Sequence, residues 1–153
     1  MIEKASEGDL LFIEQITQQN MLVHYTNHAK SWDEAVFAKS IQETENLIVR
    51  IAGKPVAAMR YTLSDTYLYI NDLQVQHDHQ NQGHGTTLLH HAFDLAKRQS
   101  LSKIRLCVFK TNTAFEYYQR FGFLHVGEQG HLFRMEKSFA QIDDDLDFLQ
   151  SFL

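Results

Sequence analysis

A single cysteine and a single proline in 153 residues set the first limits on this chain. Cys107 lies inside the apolar run IRLCVF, so no disulfide framework can staple the fold, and a reducing compartment is expected. The one proline, Pro55, sits in the turn AGKPV, and no Pro-, Gly- or Ser-rich stretch marks a linker, which favours one domain. No apolar run approaches the length needed to span a membrane, and no repeat recurs at solenoid periods. Positive charge is not in excess: 14 Lys and Arg face 19 Asp and Glu, a formal net charge of −5, which argues against a nucleic-acid partner. The start, MIEKASEGDL, has neither the basic nor the apolar region of a secretory signal, so a cytoplasmic protein is expected.

What remains is ordinary globular composition, 44% apolar and 22% charged. A chain of this length buries roughly 70% of the surface it exposes when unfolded. Ile2 to Ala5 reads as a short strand, with Ser6 as N-cap of a helix over Asp9 to Gln19. A second helix is expected from Ser31, with Trp32, Val36 and Phe37 on one face and Ile41 continuing it. The period then changes from helical to alternating. NLIVRIAG and VAAMRYTLS flank the Gly53-Lys54-Pro55 turn as a hairpin, and TYLYINDLQV adds a third strand. A helix is expected from Gly85 to Gln99, buried through Leu88, Leu89, Ala92, Phe93, Leu95 and Ala96. KIRLCVF reads as a strand, NTAFEYYQRF as a short helix, and GFLHVGE with HLFRMEK as a closing hairpin. The order β-α-α-β-β-β-α-β-α-β-β predicts a mixed α/β fold with one parallel βαβ crossover.

The segment QNQGHGTT, Gln80 to Thr87, fills the strand-to-helix junction of that crossover. A helix N-terminus presents backbone N–H groups without intrahelical acceptors and a partial positive charge, so it attracts anions. Glycines ahead of it allow a phosphate to approach the backbone closely. The lysine of a Walker loop is missing, and the loop does not follow a first Rossmann strand. The candidate ligand is therefore a pyrophosphate bound by backbone alone, without a metal, with Thr86 and Thr87 able to add hydroxyl donors. Taken alone, the same glycines also suit a simple change of chain direction.

With these residues in view, the chain resembles the GNAT superfamily of acyl-CoA-dependent N-acyltransferases. Gln80-x-x-Gly83-x-Gly85 matches its Gln/Arg-x-x-Gly-x-Gly/Ala signature, LQV (Leu73 to Val75) its fourth strand, and LCVFKTNTAFEYYQRFGF (Leu106 to Phe123) its later series. The resemblance covers Asn46 to Lys137 well and the first 45 residues only in element order. It implies a mostly antiparallel central sheet of about seven strands flanked by helices, with strands 4 and 5 parallel and splayed. It implies acetyl-CoA as co-substrate and a primary amine of a small molecule or peptide as acceptor, joined by direct attack in a ternary complex. Gln80, Gln82, Gly83, His84, Gly85 and Thr86 would hold the pyrophosphate, and backbone groups of Leu73 and Val75 the pantetheine arm. Asn112 would lie near that arm, or serve only as a helix cap. Tyr118, four residues before Gly122, would protonate the departing thiolate, or simply pack beside Tyr117. The carboxylate that family members place near Tyr69 or Asn71 is missing here. Asn71 can orient an amine but cannot take its proton, which leaves the general base open. A non-catalytic acyl-CoA-binding module is the alternative reading.

In the resemblance, the stretch from Met21 to Phe37 borders the acceptor, which makes His24, Tyr25 and Trp32 candidate pocket residues, with core packing equally open for Trp32. The nine histidines prompt a metal reading, yet thiolate partners are lacking and this chemistry needs none, so no metal is expected. The family-like domain is expected to close at residue 137. Residues 138–153 carry Phe139, Ile142, Leu146, Leu149 and Leu153 at helical spacing beside an acidic run, an amphipathic helix that docks on its own domain or builds a homodimer.

Overall fold

The structure is a computed structural model that describes residues 1–27 and 32–139. The expected tail helix, from residue 140 onward, and its dimer contact lie outside the described residues, as does the expected helix start at Ser31. The strands are β1 (Ile2–Lys4), β2 (Glu45–Ile51), β3 (Lys54–Leu63), β4 (Tyr67–Val75), β5 (Lys103–Phe109), β6 (Leu124–Gln129) and β7 (Leu132–Ser138). The helices are α1 (Leu10–Asn27), α2 (Glu34–Glu43), α3 (His84–Arg98) and α4 (Ala114–Arg120). Among the described residues the strands form one seven-stranded mixed sheet in the order β1-β2-β3-β4-β5-β7-β6, with β4 and β5 parallel. The element order is the expected one, with short 3₁₀ turns added at Glu7–Asp9 and His77–His79.

Chain contacts group into two compact units. Of the described residues, the first holds those within 1–62 and 70–91, and the second those within 63–69 and 92–139. Within the first unit, β1 pairs antiparallel with β2, and β2 with β3. The β2–β3 turn needs only two residues, Ala52 and Gly53, both at positive φ, which matches the twist of the strands it joins. Ile13 and Ile16 of α1, Phe37 of α2, Ile48 of β2 and Ala58 of β3 form an apolar cluster, with Trp32 and Ile41 packed against it.

Ser6 caps the chain's entry into α1 in a reciprocal box. Its backbone N–H and its hydroxyl both donate to Asp9, at 2.9 and 3.0 Å. Arg50 donates to both oxygens of the same carboxylate at 2.6 and 2.7 Å. Burial alone would raise the Asp9 pKa, but the Ser6 N–H and the Arg50 guanidinium more than offset that and hold it below 3.8.

A second polar cluster joins α1, α2, β3 and β4. Arg60, only 7% exposed, donates to Asp72 at 3.2 Å and to the Ser40 hydroxyl, and its guanidinium lies over the Phe37 ring. The Thr17 hydroxyl lies within hydrogen-bond range of Asp72 at 3.0 Å and of the Ile13 carbonyl at 2.7 Å. Gln74 donates to the other Asp72 oxygen at 2.8 Å.

In the second unit, β5 pairs antiparallel with β7, and β7 with β6. Helix α4 ends at Arg120; two residues on, Gly122 takes a φ of +90° that a side-chain-bearing residue rarely adopts, and the Phe123 N–H turns back to the Tyr118 carbonyl. That reversal sets the Phe123 ring 5.7 Å from Tyr118 and 6.0 Å from Phe93 of α3. Phe139, expected in the tail's apolar stripe, is buried here instead, with its ring 5.8 Å from Phe93 and its N–H bonded to the Ser102 carbonyl.

Two expectations are corrected. Helix α1 runs to Asn27, eight residues past Gln19, because nothing in QNMLVHYTN breaks a helix even though the apolar period fades there. Val36 is 64% exposed, whereas Phe37 and Ile41 turn inward; the Asp33 side chain caps α2 through Ala35 and Val36 and so fixes its start and its face.

Replacing Asp72 with Ala should destabilise the chain by about 3–5 kcal/mol, because it leaves Arg60 buried without its carboxylate. Urea unfolding measures this, and a second change, Arg60→Met, should recover part of the loss. For Asp9 the folded pKa lies below the unfolded one, so its stabilisation is present above pH 3.8 and fades as pH falls through the lowered value. The urea midpoints of wild type and Asp9→Asn should therefore differ at neutral pH and converge in acid.

Candidate active site

The glycine loop sits where the first unit passes from β4 into α3. Three hydrogen bonds fix the strand end it leaves, and a fourth ties the loop to that end. The Gln76 N–H donates to the Val56 carbonyl at 2.8 Å, closing the end of β4 against β3. The Val75 carbonyl accepts from Asn20 of α1 at 2.8 Å and from the Gln80 side chain at 3.1 Å. The Asn20 amide also donates to Gln74 at 3.1 Å. Gln80 of the signature thus anchors the loop to the strand it leaves, and the Val75 carbonyl is engaged at both lone pairs.

From there the chain takes two left-handed steps, Asn81 at φ +62° and Gly83 at φ +88°, before α3 begins at His84. A Cβ built on Gly83 would meet nothing within 4 Å, so the space over this residue is open. The Thr87 N–H and hydroxyl both reach the Gly83 carbonyl at 2.9 Å, closing the first helical turn. The N–H groups of His84 and Gly85 precede that closure and have no intrahelical acceptor. Gln82 reaches back to the Asp78 carbonyl at 3.5 Å, and the His84 ring meets His79 edge-on at 6.2 Å. Open space in front of the first N–H groups of a helix, at the positive end of its dipole, suits a phosphate group.

Leu73 is half-buried and Asn71 exposed on the β4 side that also carries Tyr69, and Asn71 accepts from Thr62 at 3.3 Å. Of the residues expected at the acceptor, His24 is half-buried near the end of α1, where burial pulls its pKa below 6.5. Tyr25 lies within α1. Trp32 packs on the apolar cluster with its ring 5.0 Å from Phe37.

Asn112 and Tyr118 belong to the second unit. The Asn112 side chain accepts from the Ala114 N–H at 2.9 Å and so caps α4. Tyr118 is 7% exposed, with its ring 5.6 Å from Tyr117 and 5.7 Å from Phe123.

The same unit contains a cavity of about 400 Å³ that the sequence reading did not find. Tyr67 and Tyr69 of β4, Arg105 and Cys107 of β5, and Arg134 and Glu136 of β7 line it. Burial alone would raise the Glu136 carboxyl, but Arg105 at 2.8 Å and Lys103 at 3.2 Å hold it below the usual carboxylate range. Burial pushes the Tyr69 phenol up, and its hydrogen bond with Cys107 adds to that. The signal was present in the alternation Lys103, Arg105, Cys107 and Arg134, Glu136, which puts polar side chains on one face of two paired strands.

These features coincide with a known family. The model of the Acetyltransferase (GNAT) family matches residues 13–123, and the chain belongs to that family. Among solved structures, the fold is similar to PaiA N-acetyltransferase from Thermoplasma acidophilum in complex with coenzyme A, with TM-score 0.74, 18% identity, and 91% of this chain and 98% of that one covered. It is similar to the ribosomal-protein-S18-alanine N-acetyltransferase of Escherichia coli, with TM-score 0.73, 22% identity and coverage of 90% and 92%. Arabidopsis thaliana Naa50, in complex with a bisubstrate analogue CoA-Ac-MVNAL, gives TM-score 0.70 at 19% identity, covering 91% and 98%. No curated protein sequence matches the chain.

The Asn112 cap generates a direct prediction. Asn112→Ala should cost about 1 kcal/mol of stability, whereas Asn112→Asp and Asn112→Ser, which also cap, should stay close to wild type. Thermal or urea unfolding of the three variants reads the difference.

Proposed function

We propose that this chain is an acetyl-CoA-dependent N-acetyltransferase acting on a primary amine. The observation that carries the reading is the β4–α3 junction, where Gly83 at φ +88° leaves open space in front of the first N–H groups of a 15-residue helix. Membership of the acetyltransferase family and neighbours solved with coenzyme A or a coenzyme A conjugate support it.

In this reading the backbone from Gln82 to Thr86 grips the pyrophosphate, with the Thr86 hydroxyl as a further donor. The pantetheine arm pairs with the backbone of Leu73 and Val75, as a strand adds to a sheet edge. Because the Val75 carbonyl already has two donors, Leu73 carries more of that pairing than the family pattern alone suggests. Asn112 borders the arm while it caps α4. The amine nitrogen attacks the thioester carbonyl, the C–S bond breaks, and the sulfur leaves with a proton from Tyr118. The proton lost by the amine goes to water or buffer, from which Tyr118 regains its own, with Asn71 orienting the acceptor, because the β4 face bearing Tyr69, Asn71 and Leu73 has no carboxylate. His24, Tyr25 and Trp32 are retained as acceptor-side candidates.

That missing carboxylate also favours a second reading, a module that binds acyl-CoA without turnover. Calorimetry with acetyl-CoA and a CoA-release assay over an amine panel separate the two. Binding with release supports the enzyme, binding without release the module, and no binding rejects both. Gly83→Val, a β-branched residue forced to positive φ in front of the cradle, should weaken acetyl-CoA binding by about tenfold to a hundredfold, the loss of one or two charge-assisted hydrogen bonds. Tyr118→Phe should lower kcat by about 10² to 10⁴ while the acetyl-CoA KM changes little. Wild-type turnover in that variant would remove Tyr118 from the mechanism.

A further inference from the structure

We propose that the cavity of the second unit is a subsite for an oxyanion, so that the acceptor is a small primary amine that also carries a carboxylate or phosphate. The proposal rests on the acetyltransferase reading for the word acceptor, but the anion site is argued from this unit alone.

Two guanidinium groups, Arg105 and Arg134, and one carboxylate, Glu136, line the cavity. Glu136 is taken up by Arg105 at 2.8 Å and Lys103 at 3.2 Å, and Arg105 also lies over the Tyr67 ring with its Cζ 4.4 Å from the centroid. Arg105 is therefore held on two sides. The other cavity-lining guanidinium, Arg134, makes no ion pair or hydrogen bond among the described residues. Its donors remain available for a planar oxyanion, which a guanidinium binds through two parallel hydrogen bonds. Glu128, on the neighbouring strand β6, does not neutralise it, because its carboxylate pairs with Lys110 at 2.7 Å.

The free guanidinium has a built berth. Arg134 of β7 pairs with Gly127 of β6, next to a shift in register between His125 and Gly127. A Cβ on Gly127 would lie 2.5 Å from Arg134 Nη2, 3.0 Å from Nε and 3.1 Å from Cζ. The side chain thus rests against the Gly127 backbone, in space that any other residue would fill. Around it, Tyr67, Tyr69, Val126 and Met135 supply aromatic and apolar wall, and Gln129 a further polar group. A cavity of about 400 Å³ lies at the low end for ligand pockets, so the guest is of the size of an amino acid or a short peptide end.

The charge of this cavity is opposite to the chain's net −5, so the overall acidity does not forecast a polycationic acceptor.

The test compares matched acceptors in the CoA-release assay: a dipeptide against its C-terminal amide, and phosphoethanolamine against ethanolamine. With the wild type, the anionic member of a pair should give a kcat/KM at least about tenfold higher, expressed in KM, as one charge-assisted contact predicts. The better pair identifies the oxyanion. Arg134→Gln should collapse that ratio towards one. Gly127→Ala, which displaces only the end of a flexible side chain, should reduce it while the fold survives. Equal efficiency within both pairs, or a preference that survives Arg134→Gln, overturns the proposal. If no amine releases CoA, the enzymatic reading fails separately, and calorimetry with the same compounds decides the subsite. Binding of the anionic member that is lost in Arg134→Gln supports it, and absence of binding overturns it.

Discussion

The Asp72 carboxylate is the group through which α1, α2, β3 and β4 are tied together. One oxygen faces Thr17 and Arg60, the other accepts from Gln74, and a guanidinium that is 7% exposed depends on it for its charge partner. A buried pair of this kind contributes less to net stability than its attraction suggests, since both ions lose water. What it supplies here is position. Gln74 passes the constraint to Asn20, Asn20 to the Val75 carbonyl, and that carbonyl also receives Gln80. The loop in front of α3 therefore begins from a strand end that a hydrogen-bonded chain reaching back to Arg60 holds in place. A phosphate cradle built from backbone N–H groups needs such support, because it has no side-chain charge of its own to draw a ligand into register.

The second unit is organised by a different means. Its apolar side packs through Phe93, Phe123, Tyr118 and Phe139, with Gly122 turning the chain at the end of α4. The alternate residues of β5 and β7 place Lys103, Arg105, Arg134 and Glu136 together. Charges on neighbouring strands normally cancel. Here Glu136 is outnumbered, and the surplus is concentrated on the one guanidinium that lies against a glycine.

Much of this was legible in the sequence because local signals and tertiary demands agreed. The change from helical to alternating period marked the strands from β2 to β4, and the glycine signature placed the start of α3 to within a residue. The βαβ crossover followed from order alone. Legibility failed where the signal was tertiary. The second half of α1 exposes Leu22 and Val23, so its periodicity ended before its helix did. Val36 looked like core by composition, and only the Asp33 cap shows which face of α2 turns inward. The hydrogen bond by which Gln80 ties the loop to Val75 joins two positions whose contact no spacing announces. The surplus cation at Arg134 depends on what Glu136 and Glu128 already bind, which no spacing reveals.

The central claim is that the backbone around Gly83 and the first turn of α3 hold the pyrophosphate of acetyl-CoA. Amide-resolved NMR of the ¹⁵N-labelled chain titrated with coenzyme A tests it most directly. The account predicts that the largest saturable shifts fall on the amides of Gln82, Gly83, His84, Gly85 and Thr86. Saturable shifts that leave these five amides unmoved, or no saturable shift at all, would contradict it.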